Sequence, residues 1–152
     1  MMKKETLYLD TSVISAYYDE RAKERQTATI KFWEEIMPHY EVFISDITIN
    51  ELENTSDEAL KKKFRKLIKG FGILKGNNKI EALANAYIDR GVFPEKYIDD
   101  ARHVATATYH DITYVVSWNF EHLVKVKTRK SVNLVNTLEG YKEIEIISPQ
   151  EL

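Results

Sequence analysis

Thr6-Leu7-Tyr8-Leu9-Asp10-Thr11-Ser12 is the stretch on which the reading of this chain turns. Four β-prone residues halt at an aspartate and two hydroxyl side chains, the residue types that accept hydrogen bonds from the first turn of a helix. Strand-then-helix is the opening of a βα unit. The pattern returns at Glu41-Val42-Phe43-Ile44, where Ser45 or Asp46 caps a helix carrying Ile49, Glu51 and Leu52. It returns again at Ile112-Thr113-Tyr114-Val115-Val116, the most β-branched run of the chain, which ends at Ser117-Trp118-Asn119. A last strand is expected at Glu143-Ile144-Glu145-Ile146-Ile147.

Helical periodicity fills the intervals. Ile30, Trp33, Ile36 and Met37 recur every three to four residues before Pro38, and Asp57 to Lys69 reads as a helix closed by Gly70. Ile80, Leu83, Ala84, Tyr87 and Ile88 form an amphipathic stripe ended by Gly91, and the alanine-rich segment 97–109 follows. A short helix is expected from Asn119, and another from Leu134 to Leu138 ahead of Gly140. Gly70-Phe71-Gly72-Ile73-Leu74-Lys75-Gly76 follows a helix and lacks the third glycine of GxGxxG, so it reads as a helix stop and a loop. Strands separated by helices predict an α/β fold, a three-layer α/β/α arrangement on a parallel sheet of about four to five strands. No linker-like composition or internal repeat divides residues 1–152, which are read as one domain.

At 152 residues and 43% hydrophobic composition the chain has enough apolar surface for one buried core. Its lack of cysteine excludes disulfides, thiolate metal sites and thiol chemistry, and a reducing cytoplasm is the expected location. Apolar runs fall far short of the ~20 residues of a membrane span, and Met1-Met2-Lys3-Lys4-Glu5 leads straight into patterned sequence, so neither membrane insertion nor export is expected. The net charge is −2. Basic residues nonetheless cluster: Lys61, Lys62, Lys63, Arg65, Lys66, Lys69 and Lys75 share a stretch without a carboxylate, and Lys125, Lys127, Arg129 and Lys130 form a second group.

In parallel sheets ligands bind beyond the carboxyl ends of the strands, which draws attention to Asp10 and Asn119. Glu51, among Ile49 and Leu52, and Asp100, at the head of Ala101-Arg102-His103-Val104-Ala105-Thr106-Ala107, sit in helices outside plainly solvated faces. Each residue alone has an ordinary structural role as a cap or first-turn charge. As a set, three carboxylates and an amide are hard oxygen donors of the kind that suit Mg²⁺ or Mn²⁺. Asp99 is an adjacent candidate, although neighbouring helical positions point ~100° apart and both seldom reach one ion. Asp99 and His103 also stand at i, i+4, a spacing read as a surface hydrogen bond rather than a transition-metal pair. No P-loop or GxSxG motif occurs, and Ser12 stands where an aspartyl-phosphate phosphatase needs a second aspartate.

Four segments in order resemble the successive signatures of PIN domains: Leu7-Tyr8-Leu9-Asp10-Thr11-Ser12, Ser45-Asp46-Ile47-Thr48-Ile49-Asn50-Glu51, Asp100-Ala101-Arg102-His103-Val104-Ala105-Thr106-Ala107, and Val115-Val116-Ser117-Trp118-Asn119-Phe120. The closing Ile144-Glu145-Ile146-Ile147-Ser148-Pro149 is similar to the last strand and proline of many members. The resemblance implies a metal-dependent ribonuclease, most often the toxin of a VapC-type toxin–antitoxin pair. On it, Asp10, Glu51 and Asp100 match the family's acidic positions as metal ligands and catalytic residues, while Asn119 stands where many members carry a fourth aspartate. That departure removes one formal charge and puts a second metal ion in doubt.

Expected partners are therefore an RNA substrate, guided by the basic clusters, and a cognate antitoxin. A homodimer is expected too, partly because toxin-type PIN domains usually pair and partly because Tyr17, Tyr18, Phe32 and Trp33 exceed what one small core uses. The alternative is a PIN-fold module that binds RNA or protein with weak or no nuclease activity.

Overall fold

In the computed structural model, which describes residues 3–152, five parallel strands form one sheet: β1 (Thr6–Leu9), β2 (Glu41–Ser45), β3 (Gly72–Leu74), β4 (Tyr114–Val116) and β5 (Glu145–Ile147). Met1 and Met2, on which the reading of the extreme N-terminus rests, lie outside the described residues. Parallel neighbours need crossover connections, which the helices supply: α1 (Thr11–Tyr17), α2 (Lys23–Lys31), α3 (Asp46–Glu53), α4 (Glu58–Leu67), α5 (Asn78–Asp89), α6 (Ile98–Tyr109) and α7 (Val126–Leu138). The result is the expected three-layer α/β/α architecture. No helix among the described residues is long and apolar enough to cross a membrane.

Alternation along the strands divides the core in two. Leu7 and Leu9 of β1 face the layer that contributes Val13, Ile14, Phe32, Leu52 and Phe64, while Tyr8 faces the layer that contributes Leu83, Tyr87, Val104 and Val132. Leu7, Tyr8 and Leu9 are each fully buried, as a central strand covered on both faces requires.

Strand order is β3-β2-β1-β4-β5, so the chain builds outward from β1 in one direction and then resumes on its other side. The reversal lies between β1 and β4, and beyond the carboxyl ends of strands at such a reversal is where parallel sheets bind ligands. Asp10 and Ser117, the residues that follow these two strands, meet at that point.

Three local expectations need correction. The segment expected as a loop over Gly70–Gly76 contains β3, which pairs with β2 in the register Phe43↔Gly72, Ile44↔Ile73 and Ser45↔Leu74. Gly-Ile-Leu is too short to show a period, and its extended form comes from the neighbouring strand; a Cβ on Gly72 would collide with the Phe43 ring. The helix expected from Asn119 is an irregular turn instead. The N–H groups of Leu123 and Val124 both donate to the Asn119 carbonyl, at 3.0 and 2.9 Å, which ends the turn and buries both side chains. Helix α7 then starts at Val126 and absorbs the short helix expected at Leu134–Leu138. Finally, the helix read through Met37 is α-helical only to Lys31; a π-helical turn, Phe32–Ile36, and a 3₁₀ turn, Met37–His39, carry the chain into Pro38 and β2.

The early aromatics are also used internally. Phe32 is buried, while Tyr17 packs edge-on against Tyr18 and Trp33 at centroid distances of 4.9 and 5.2 Å. The large apolar side chains left exposed are Ile73, Phe120, Val126, Leu134 and Leu138.

One buried polar contact locks β4's exit to α2. The Trp118 Nε1–H donates to Thr29 Oγ1 at 2.8 Å, and the Thr29 hydroxyl in turn donates to the Arg25 carbonyl at 2.7 Å. Thr29→Val keeps the volume but leaves the indole N–H without an acceptor in the core. Urea unfolding should register a loss of about 1–3 kcal/mol, with Thr29→Ser close to wild type. Equal stability of the valine variant would remove this contact from the account.

Candidate active site

Asp10 is 5% exposed and is the helix N-cap that its sequence position predicted, with its second oxygen bonded across the sheet. As N-cap of α1 its Oδ1 accepts from the Ser12 N–H at 3.1 Å and from the Ser12 hydroxyl at 2.5 Å. Its Oδ2 accepts from the Ser117 hydroxyl at 2.7 Å, across the strand reversal. The two serine oxygens then accept from the chain leaving β4: Trp118 N–H to Ser12 Oγ and Asn119 N–H to Ser117 Oγ, each at 2.9 Å. Ser12 and Ser117 were not among the expected site residues. Their signal was available, since each is a hydroxyl within three residues of a strand end.

Glu51 projects from the second turn of α3, a helix fixed at its start by a reciprocal cap between Ser45 and Thr48. Its Oε1 accepts from the Thr11 hydroxyl at 2.9 Å and from His103 Nε2 at 2.5 Å. His103 is the centre that the sequence reading missed. Only 2% exposed, it reaches inward from α6, with Nδ1 2.5 Å from the Tyr8 hydroxyl, itself 2.7 Å from Ser45 Oγ. The expected surface pairing of His103 with Asp99 does not occur. Asp99 is exposed and accepts from Arg102 at 3.0 Å; the same guanidinium grips Glu81 at 2.7 Å. One residue along, about 100° around the helix, Asp100 is less exposed and turns to His122.

Asp100 Oδ2 lies 3.0 Å from His122 Nδ1, and the His122 backbone N–H donates to Asn119 Oδ1 at 2.9 Å. The Tyr97 ring covers the imidazole at a centroid distance of 3.9 Å. Thus Asp100 and Asn119, from different elements, are joined through one histidine. Asn119-x-x-His122 has the spacing of a side chain capping a turn, a local signal that carries no hint of Asp100.

The electrostatics tie these groups together. Burial pushes the Asp10 carboxyl above its ordinary range, with the His103 charge and the serine hydroxyls opposing and Glu51 adding to the rise. Burial also raises Asp100, against His103 and His122, and Asp10 raises it further. For Glu51 burial works upward, but the hydrogen bond and charge of His103 prevail and hold it below the usual range. Burial opposes charge on His103, yet Tyr8, Glu51 and Asp10 outweigh it and hold the imidazole well above its ordinary value. Glu51 thus raises Asp10, Asp10 raises Asp100, and His103 opposes the rise in all three carboxyls.

This donor set fits a hard divalent cation in kind, with three carboxylate groups and the Asn119 amide, two of the carboxyls being desolvated. Among the described residues no three His, Asp or Glu side chains stand assembled as a metal cage. Each carboxylate is turned to its own partners instead: Asp10 to the serines, Glu51 to His103, Asp100 to His122. A cleft of about 340 Å³ gives access to Glu51 between Asp46, Asn50, Glu81 and Arg102. The larger cleft of about 800 Å³ lies at the amino ends of β2 and β3, between Trp33, Tyr40 and Phe71, and contains none of these groups.

A raised carboxyl pKa means that folding disfavours the ionised form, so metal-free protein gains stability as pH falls through that raised range. Asparagine at position 10 keeps the cap acceptor and removes the charge. In EDTA at pH 7.5, Asp10→Asn should melt roughly 2–4 °C higher, the shift that about 1 kcal/mol makes in a chain of this size. The gain should shrink on acidification, where Asp10 itself becomes neutral. A lower melting temperature at pH 7.5 would mean that the charge is already compensated.

The PIN domain family model matches residues 7–125, a span that includes Asp10, Glu51, Asp100 and Asn119. No curated protein matches the sequence. Among solved structures, VapBC-1 from nontypeable Haemophilus influenzae superposes with a TM-score of 0.62 at 15% identity, covering 96% of this chain and 99% of that one. The Mycobacterium tuberculosis toxin VapC20, described as cleaving the sarcin–ricin loop, gives 0.60 at 15% identity over 91% and 98% of the two chains. A toxin–antitoxin complex from Klebsiella pneumoniae gives 0.58 at 17% identity over 80% and 93%. At these identities the likeness is one of fold, and together with the match over most of its length it leads to one conclusion: the chain belongs to the PIN domain family.

Proposed function

We propose that this chain is a divalent-metal-dependent endoribonuclease and the toxin of a toxin–antitoxin pair, with residues 1–152 acting as one unit. The observation that carries the reading is that Asp10, at the strand reversal of a PIN fold, couples electrostatically to both Glu51 and Asp100, and that Asp100 is joined to the Asn119 turn through His122. In this reading Asp10, Glu51, Asp100 and Asn119 hold Mg²⁺ or Mn²⁺. Such an ion supplies an acidified water and positive charge against the phosphodiester under attack. Glu51, held below the usual carboxylate range by His103 and bordering the cleft, would keep its negative charge for the ion, and Ser12 and Ser117 hold Asp10 in place. Asn119 contributes an oxygen without a charge, and Asp99, engaged by Arg102, stays outside the set.

RNA as the substrate draws support from the basic clusters. Arg65 is paired with Glu53 and Lys61 with Glu58, but Lys62, Lys63, Lys66 and Lys69 remain exposed, as do Lys125, Lys127 and Lys130 beside the Asn119 turn. An antitoxin partner draws support from the toxin–antitoxin complexes among the structural neighbours. A homodimer would use the exposed Val126, Leu134 and Leu138 of α7 rather than the early aromatics. A cytoplasmic site of action accords with an RNA substrate. A second reading, a PIN-fold module that binds without cutting, draws on Glu51 and Asp100 being turned to histidines.

Cleavage of mixed-sequence RNA should appear with Mg²⁺ or Mn²⁺ and disappear in EDTA. Asp10→Asn, Glu51→Gln and Asp100→Asn should each lower the rate at least about a hundredfold while the circular dichroism is retained, a loss in proportion to removing charge at a phosphoryl-transfer centre. Wild-type protein inert with every divalent ion tested would favour the binding module. Replacing Lys125 and Lys127 with glutamine should weaken RNA binding and flatten its salt dependence by about 0.7 per lost phosphate contact. An unchanged slope assigns those lysines to solubility. For the assembly, light scattering that returns a mass near 17.8 kDa at micromolar concentration sinks the dimer.

A further inference from the structure

Phe120 directly follows Asn119 and is 47% exposed, one of the large apolar residues left open to solvent. Behind it stands Trp118, 5% exposed, with ring centroids 6.1 Å apart. Trp118 cannot drift: its indole is bonded to Thr29 and its backbone N–H to Ser12. Arg25 reaches across from α2, its guanidinium carbon 5.1 Å from the Trp118 centroid and 5.9 Å from that of Phe120. Among the described residues Arg25 has no carboxylate within ion-pair distance; it rests on aromatic faces and is exposed. These residues, with Lys23, Glu24 and Gln150, border a cleft of about 640 Å³, ample for one nucleobase, in which two cations face one carboxylate.

We propose that Phe120, backed by Trp118 and flanked by Arg25, is a stacking subsite for an unpaired base of single-stranded RNA, with Arg25 and Lys23 taking the adjoining phosphates. The subsite deepens the ribonuclease reading and rests on it. Nucleic acid is favoured over a protein segment because an exposed aromatic face is combined with two exposed cations and is hydrogen-bonded through Ser12 and Ser117 to Asp10. Ser12 bonds both the Trp118 N–H and Asp10, and Ser117 bonds both the Asn119 N–H and Asp10, so a base held here is registered against the carboxylates by two hydrogen-bonded links. Only an unpaired base presents a free face, because in a duplex both faces are covered by neighbours. Stacking tolerates any base, so the subsite positions the strand without reading its sequence. Tyr17, Tyr18 and Trp33, which pack against one another, offer no equivalent open face.

The test uses the full chain and an unstructured ten-nucleotide RNA carrying 2-aminopurine, whose fluorescence falls when its ring stacks. In EDTA, where the RNA stays intact, wild-type protein should quench the probe. Phe120→Leu should lose the quench and about five- to tenfold of the affinity, while Phe120→Trp keeps the quench. Arg25→Gln should weaken binding and flatten the salt slope by about 0.7. With magnesium, Phe120→Leu should raise KM for the same RNA by a similar factor with kcat within about twofold. Wild-type protein that cleaves the RNA while Phe120→Leu leaves quench, affinity and KM unchanged overturns the subsite and spares the nuclease reading. A Phe120-dependent quench without cleavage under any divalent ion keeps the subsite and removes the nuclease. Loss of self-association or of binding to a co-purified partner in Phe120→Leu, with RNA affinity intact, overturns the subsite in favour of a protein interface.

Discussion

Burial of the Asp10 carboxylate at the reversal of strand order is the constraint from which the rest of the site follows. A carboxylate at 5% exposure needs partners for both oxygens, and the geometry of a parallel sheet limits where they can come from. One oxygen is satisfied locally by the first turn of α1; the other can be reached only from the neighbouring strand's exit, where Ser117 stands. Those serines also accept from the backbone beyond β4. Holding one acid in place therefore shapes the turn that carries Trp118, Asn119 and Phe120.

The second layer of organisation is the pair of histidines. His103 and His122 each face a carboxylate, and the first also contacts Tyr8, the one β1 residue directed at that face of the sheet whose side chain is long and polar-tipped enough to reach α3 and α6 together. The hydrogen bond and charge of His103 favour ionisation of the acids around it, which would otherwise repel one another. Under the proposed metal site, an incoming divalent ion would have to compete with His103 and Thr11 for Glu51, which is already bonded to both.

Much of this was legible in the sequence, for reasons that can be assigned. β1, β2 and β4 announce themselves because each has an apolar, β-branched or aromatic run ending in a capping residue, and Asp10 and Asn119 follow from where such runs stop. Glu51 and Asp100 stood out by interrupting apolar faces. His103 was misread because its spacing to Asp99 is local, whereas its partners Tyr8 and Glu51 lie 95 and 52 residues away, separations no periodicity reveals. Strand β3 escaped for a related reason: three residues between glycines have no period, and their extended form is imposed by pairing with β2. The turn after Asn119 shows the same limit, since a carbonyl that accepts two amides stops a helix whose sequence would permit it.

The edges of the sheet carry a consequence of their own. An outer strand leaves a row of backbone donors and acceptors without partners, an invitation to fibrous growth by addition of further chains. Here both outer strands, β3 and β5, are only three residues long. Beside the exposed Ile73 of β3, Lys69 and Lys75 add charge and Gly70 and Gly76 interrupt the extended run. A foreign strand would find too little length to register against and lysines to desolvate. Brevity at the rim thus protects colloidal solubility, and the five-stranded sheet can keep open borders without becoming a template for its own precipitation.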